Sequence, residues 1–147
     1  MEDNIFKIRF VVATRENEEN FHKNTFTGKT IKLFKFPFFE LRLFSNNKEG
    51  LSKVYNKAIH ESIKDPAILV FIHDDIFILE YYWPGKIYES FKYFQILGVA
   101  GNINRTGNQS SWYYLDKELT RDKQSNLSGM VGHGDSFPPK NLDFYGK

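Results

Sequence analysis

The chain has no cysteine among its 147 residues. That excludes a disulfide framework, a thiolate zinc site, an iron–sulfur cluster and a cysteine nucleophile. It is compatible with a reducing compartment, so a cytoplasmic location is expected. Long hydrophobic runs are also missing. The longest, residues 67–72, falls far short of the ~20 residues that a membrane-spanning helix needs, and the start Met1-Glu2-Asp3-Asn4-Ile5 lacks the pattern of a signal peptide. Neither sign of charge is in excess. Twenty Lys and Arg against eighteen Asp and Glu leave +2, too mild a balance to demand a nucleic-acid partner. There is no GxGxxG, no GxxxxGK[ST] and no GxSxG. His60-Glu61 opens like a zinc-protease helix, but Lys64 stands where the second histidine belongs.

What is present is the composition of a folded domain, with 41% hydrophobic and 26% charged residues. The length predicts a single domain over residues 1–147 with a sizeable core. Aromatics reach 17%, fifteen of them Phe, so large apolar burial and some exposed aromatic surface are expected.

Residues 6–13, with Ile8, Phe10, Val11 and Val12, read as a strand that runs into the polar stretch Thr14-Arg15-Glu16-Asn17-Glu18-Glu19-Asn20. Residues 31–39 alternate Lys and Phe around Pro37, and read as an extended edge segment because proline cannot donate to a ladder. Stacking on single-stranded nucleic acid is the other reading of that stretch. A short strand over 41–44 is closed by Ser45-Asn46-Asn47, good turn and cap residues.

Leu51, Val54, Tyr55, Ala58 and Ile59 fall on one face at 3.6 residues per turn, and Pro66 stops that helix. The continuous apolar run 67–72 suits a central strand covered on both faces. A helix is expected after Pro84, with Ile87, Phe91 and Phe94 on one face, then a strand over 96–100. Beyond Gly101 the pattern dissolves, apart from a possible strand over 111–115. Its Trp112-Tyr113-Tyr114 would stack on a sugar ring or belong to the core. Alternating strands and helices predict an α/β fold, a mostly parallel sheet flanked by helices.

The strongest chemical signal is His73-Asp74-Asp75, placed directly after a buried strand. Ligands of open α/β sheets bind outside the carboxyl ends of the strands, and carboxylate oxygens suit Mg²⁺ or Mn²⁺ bound together with phosphate. Adjacent residues of a strand point to opposite faces, so the two Asp would do different jobs. The alternative is a capped, solvated turn. His73 is a ligand or a hydrogen-bonded structural residue. The segment 45–59 joins a strand end, a polar loop and a helix start, a geometry that offers backbone N–H groups to an anion or is simply a capped helix. In Ser128-Gly129-Met130-Val131-Gly132-His133-Gly134-Asp135, His133 and Asp135 would ligate a metal or belong to a loop-rich tail.

The order VVATREN, SNNKEGLSKVYNKAI, AILVFIHDD, ILGVAGN resembles the GT-A glycosyltransferases, in particular the small bacterial group related to family two, over residues 6–101. The resemblance implies a Rossmann-like nucleotide-diphospho-sugar transferase fold, with a nucleotide-sugar-binding core over 5–101 and a loop-rich tail over 102–147. It implies that Ala13, Thr14, Arg15 and Glu16 line the nucleoside pocket, and that Asn46 or Asn47 lies near the base or ribose. Lys53 and Asn56 would lie near the pocket wall or sugar, and Asp74 would face the ribose or donor sugar. Asp75 would hold a divalent Mn²⁺ or Mg²⁺ bridging the phosphates, with His133 as a late metal ligand. The implied substrates are a nucleotide-diphosphate sugar and a carbohydrate or other hydroxyl acceptor, with no nucleic-acid partner. The chain departs from the family after Gly101. Asp135 and Asp143 are its only acids beyond Asp122, and neither sits in an acceptor-half motif. A truncated catalytic unit, needing a partner chain or a homo-oligomer, is therefore expected, with no catalytic base assigned.

Overall fold

The structure is a computed structural model that describes residues 6–134 and 136, together with the backbone of 143–146. The chain divides into two compact units, Met1–Gly85 and Lys86–Lys147.

In the first unit three parallel strands, β1 (Ile8–Ala13), β2 (Phe39–Phe44) and β3 (Ile68–Phe71), form a sheet in the order β2-β1-β3. Helices α1 (Glu18–Asn24) and α2 (Phe26–Ile31) connect β1 to β2, and α3 (Leu51–Lys64) connects β2 to β3. The architecture is thus α/β, a parallel sheet flanked by helices, compatible with a Rossmann-like fold. The central strand is β1, whose Ile8, Phe10, Val11 and Val12 are almost wholly buried. The run 67–72, read as the central strand, is instead the edge strand β3 with a half-exposed side, and Phe71 is covered in part by the Tyr55 ring at 4.6 Å. An apolar run does not by itself fix the position of the strand in the sheet.

Strand alternation divides the work of β1. On one face Phe10 meets Phe39 and Trp83, each at 5.0 Å between ring centroids, and Phe34, Phe36 and Tyr81 extend the cluster. This packing corrects the reading of residues 31–39 as an edge strand. Ile31 ends α2, the chain turns through 32–38, and β2 starts at Phe39. Pro37 can donate no ladder bond, and within the turn Phe34, Phe36 and Phe38 gather as one stack.

On the other face Arg9 is buried in the central strand, a feature the apolar pattern of residues 6–13 conceals. Its guanidinium donates to Glu40 on the paired strand (2.9 Å), to the Asp65 carbonyl (3.1 Å) and to the Asp65 carboxylate at the end of α3. Lys7 bridges Glu40 and Asp65 as well, and Arg42 forms a bidentate pair with Glu61 of α3 at 2.7 Å. Hydrogen bonds from Lys7 and then Arg9 hold the Asp65 carboxyl below its usual range, and Arg42 does the same for Glu61. Because these values are depressed in the folded state, their stabilisation is complete above the ordinary carboxylate value of about 4 and is lost as pH falls through the depressed values. The urea midpoint is therefore expected to fall on acidification below about pH 4, less steeply in Asp65→Asn than in the parent chain.

Gly28 explains how α1 and α2 can abut. A Cβ there would lie 2.0 Å from the Phe21 carbonyl oxygen, so only glycine permits the approach.

Helix α4 (Trp83–Phe91) begins one residue before the expected Pro84. In the second unit β4 (Gly101–Asn102) pairs antiparallel with β5 (Leu127–Ser128), which follows a 3-10 turn over Gln124–Asn126, and β6 (Met130–His133) pairs antiparallel with β7 (Asp143–Gly146). The strand expected over 96–100 is absent. Ile96 and Val99 are more than nine-tenths exposed there, and pairing begins only at Gly101. Residues 111–115 form no strand either, only the single bridge Tyr114–Arg121. Asp135 lies outside the described residues. No helix among the described residues is long and apolar enough to cross a membrane.

Candidate functional site

All three strands of the sheet deliver their carboxyl ends to one place. Open α/β sheets bind ligands outside these carboxyl ends. There the structure has an open cleft of about 830 Å³, within the range of small-molecule sites. It is lined by Ala13 to Glu16, by Asn46 to Leu51 and by Asp74.

Thr14 ties the three ends together. Its amide donates to the Phe44 carbonyl (3.1 Å), and its carbonyl accepts from Asn47 (2.8 Å). Its hydroxyl donates to Asp74 Oδ2 at 2.5 Å and accepts from the Glu16 amide at 3.2 Å. Thr14 is 3% exposed, so it forms the floor of the cleft and aligns Asp74. A second backbone bond, from Asn46 to the Glu16 carbonyl (2.8 Å), closes the β1 and β2 loops on each other.

The cap of α3 differs from the expected one. Asn46 takes a left-handed φ of 51°, and Asn47 Oδ1 and Nδ2 both bond the Glu49 backbone. The cap residue is Gly50, which has no side chain to offer. The Lys53 amide bonds the Gly50 carbonyl at 3.1 Å, which leaves the Leu51 and Ser52 amides of the first turn to water or an anion at the cleft rim. Arg15 and Lys48 line the same cleft and have no carboxylate partner among the described residues. Glu49 is held by Lys53 at 2.5 Å and by Lys57, which together lower its carboxyl to about 2.

Of the residues singled out in the sequence, Ala13, Thr14, Arg15, Glu16, Asn46, Asn47 and Asp74 come together in the cleft. Lys53 is largely exposed and engaged with Glu49, and Asn56 is exposed on α3. Asp75 and His73 are exposed, and Asp75 is outside the lining. His133 lies exposed on β6 of the second unit. Among the described residues no three His, Asp or Glu side chains gather as a ready-made metal cage. Three carboxylates line the cleft; Glu49 is held by Lys53 and Lys57, which leaves Glu16 and Asp74, with Asp75 next in the chain but outside the lining. That set suits a hard divalent ion that takes one or two protein ligands and leaves its other positions to phosphate and water.

The sequence reading missed Thr27. It is fully buried, and its hydroxyl lies 2.5 Å from the His73 carbonyl and 2.9 Å from that of Ile76. Its signal, a polar residue on the buried side of a short helix, is weak in one dimension.

A second hollow of about 490 Å³ is lined by Arg9, Glu40, Leu41, Arg42, Glu61 and Asp65. Its acids and bases satisfy one another, so it offers a ligand little.

No family model matches the chain, and no curated protein or solved structure matches it.

Proposed function

We propose that the cleft binds a nucleotide-diphosphate sugar and that the chain is a GT-A-like glycosyltransferase, or the donor-binding part of one, which transfers the sugar to an acceptor hydroxyl. The observation that carries this reading is the meeting of two unpaired cations, a helix start with no side-chain cap and the Asp74 carboxylate in one cleft at the carboxyl ends of a parallel sheet. Arg15, Lys48 and the start of α3 suit the diphosphate. The Asn46 side-chain carboxamide, which makes no hydrogen bond among the described residues, suits the base or ribose, and Asp74 suits the ribose or sugar hydroxyls. Asp75, beside it, would hold Mn²⁺ or Mg²⁺. Such an ion, when bound, supplies charge neutralisation of the leaving diphosphate. The motif order of residues 6–101 supports the GT-A form of the α/β fold.

A second reading is a donor-binding module that needs a partner chain for transfer. The observation that favours it is the state of Asp122, the buried acid of the second unit. Its carboxylate accepts from Asn102 (2.8 Å), Asn126 (2.9 Å) and the Lys123 amide (2.7 Å), and these bonds, that from Asn102 foremost, lower its pKa. A carboxylate so occupied is a poor general base.

Calorimetry with UDP- and GDP-sugars, with and without Mn²⁺, tests donor binding. Metal-dependent binding is expected, and no binding of any donor sinks the reading. Equal affinity for pyrophosphate and sugar nucleotides would mark a phosphate-binding domain instead. Sugar transfer by the isolated chain would exclude the partner-dependent form.

A further inference from the structure

We propose that Thr27 is the positioning residue of this site, and that its buried hydroxyl sets the Asp74-Asp75 carboxylates for the ligand. The proposal rests on the reading of the cleft as a nucleoside-diphosphate site.

Helix α2 carries two fully buried threonines, and they do different things. The Thr30 hydroxyl bonds the Phe26 carbonyl of its own helix at 2.8 Å. The Thr27 hydroxyl leaves its helix. It donates to the His73 carbonyl (2.5 Å), with the Ile76 carbonyl at 2.9 Å sharing the proton, and it accepts from the Ile76 amide at 3.1 Å. The Thr27 amide, one of the helix-start donors without an intrahelical partner, bonds the Asp74 carbonyl at 3.1 Å. One residue therefore holds both ends and the middle of the turn His73–Ile76.

That turn needs holding. The sheet's last ladder bond there runs from the Ile72 amide to Val11 (3.2 Å), and after it the chain leaves the strand. Two carboxylates follow in succession, and like charges side by side repel. Thr27 grips the backbone from beneath, and Thr14 grips the Asp74 side chain from the other side. The base of the grip is itself fixed, since Gly28 packs against the Phe21 carbonyl and its amide is capped by Thr25 at 2.9 Å. Valine would fill the same volume, so packing alone gives no reason for a hydroxyl at position 27.

The test uses the full chain as parent, Thr27→Val and Thr27→Ser, with two readouts. The first is amide hydrogen exchange at Ile76 without ligand. The second is calorimetry with UDP or GDP and Mn²⁺, which separates the dissociation constant from the fraction of molecules that bind. Thr27→Val is expected to speed Ile76 exchange and to weaken binding about tenfold, the equivalent of one net hydrogen bond. Thr27→Ser is expected to restore both. A merely destabilised chain lowers the binding fraction and leaves the dissociation constant of the folded molecules unchanged; that result overturns the proposal, as does unchanged exchange. If valine prevents folding, Thr27→Cys, a weaker donor of similar size, carries the same comparison and is expected to fall between parent and loss. A parent chain that binds neither nucleotide overturns the reading of the cleft and with it the role of Thr27 towards a ligand. Faster Ile76 exchange in Thr27→Val would then show that the grip on the turn is intact and that the error lies in the ligand.

Discussion

Asp75→Asn is expected to abolish metal-dependent binding of a sugar nucleotide while leaving the fold untouched. The side chain is exposed and makes no hydrogen bond among the described residues, so removing its charge costs the sheet nothing. It does remove the carboxylate proposed to hold Mn²⁺ or Mg²⁺. Substituting even the outer partners of a metal ligand costs 10–100-fold, so loss of the ligand is expected to weaken Mn²⁺-dependent affinity by about a hundredfold or more. Asp74→Asn should behave differently. Its Oδ2 accepts from Thr14, and an amide nitrogen placed there would face a hydroxyl that already receives the Glu16 amide. That variant is expected to lose binding and to loosen the cleft floor together. Calorimetry with and without Mn²⁺, run beside thermal melts, separates the two. Asp75→Asn with parental, metal-dependent affinity would remove Asp75 from the site.

Phe10→Ala is expected to unfold much of the first unit. Phe10 is 1% exposed on the central strand, and its ring packs on Phe39 and Trp83. Truncating a buried Phe costs about 3–5 kcal/mol, through lost transfer energy and the cavity left behind. A small domain has about 5–15 kcal/mol in all. At several degrees per kcal/mol, the melting temperature should fall by about 15–30 °C. Phe10→Leu, which keeps most of the volume, is expected to cost only about 1 kcal/mol. Urea denaturation followed by far-ultraviolet circular dichroism measures both. A loss below about 1 kcal/mol in Phe10→Ala would mean that the aromatic cluster does not close over the sheet.

Both variants lie where local pattern and tertiary structure meet. The strand at residues 8–13 and the helix from Leu51 were legible because each has a clear period, and the seven cleft residues were legible because they sit at element ends. Arg9 was not, since a charged residue inside an apolar strand is explicable only once Glu40 and Asp65 are seen around it. The strand expected over 96–100 failed for the opposite reason. Four apolar residues around Gly98 satisfy the pattern, yet a strand also needs a partner, and Ile96 and Val99 stay in solvent.

Sequence alone determined the strands at the start of the first unit and at 41–44, the helix from Leu51, the parallel class of the sheet and the stretches that would end near a ligand, but not the helices α1 and α2. These follow from hydrophobic period and chain connectivity, which are local. Tertiary structure decided that β1 and not β3 is central, that Asp74 and not Asp75 lines the cleft, and that Thr27 grips a turn 46 residues further along the chain. The physical reason is common to all three. Strand order, the facing of a carboxylate and the partner of a buried hydroxyl depend on which distant segments the crossovers bring together, and no periodicity within a single segment records that.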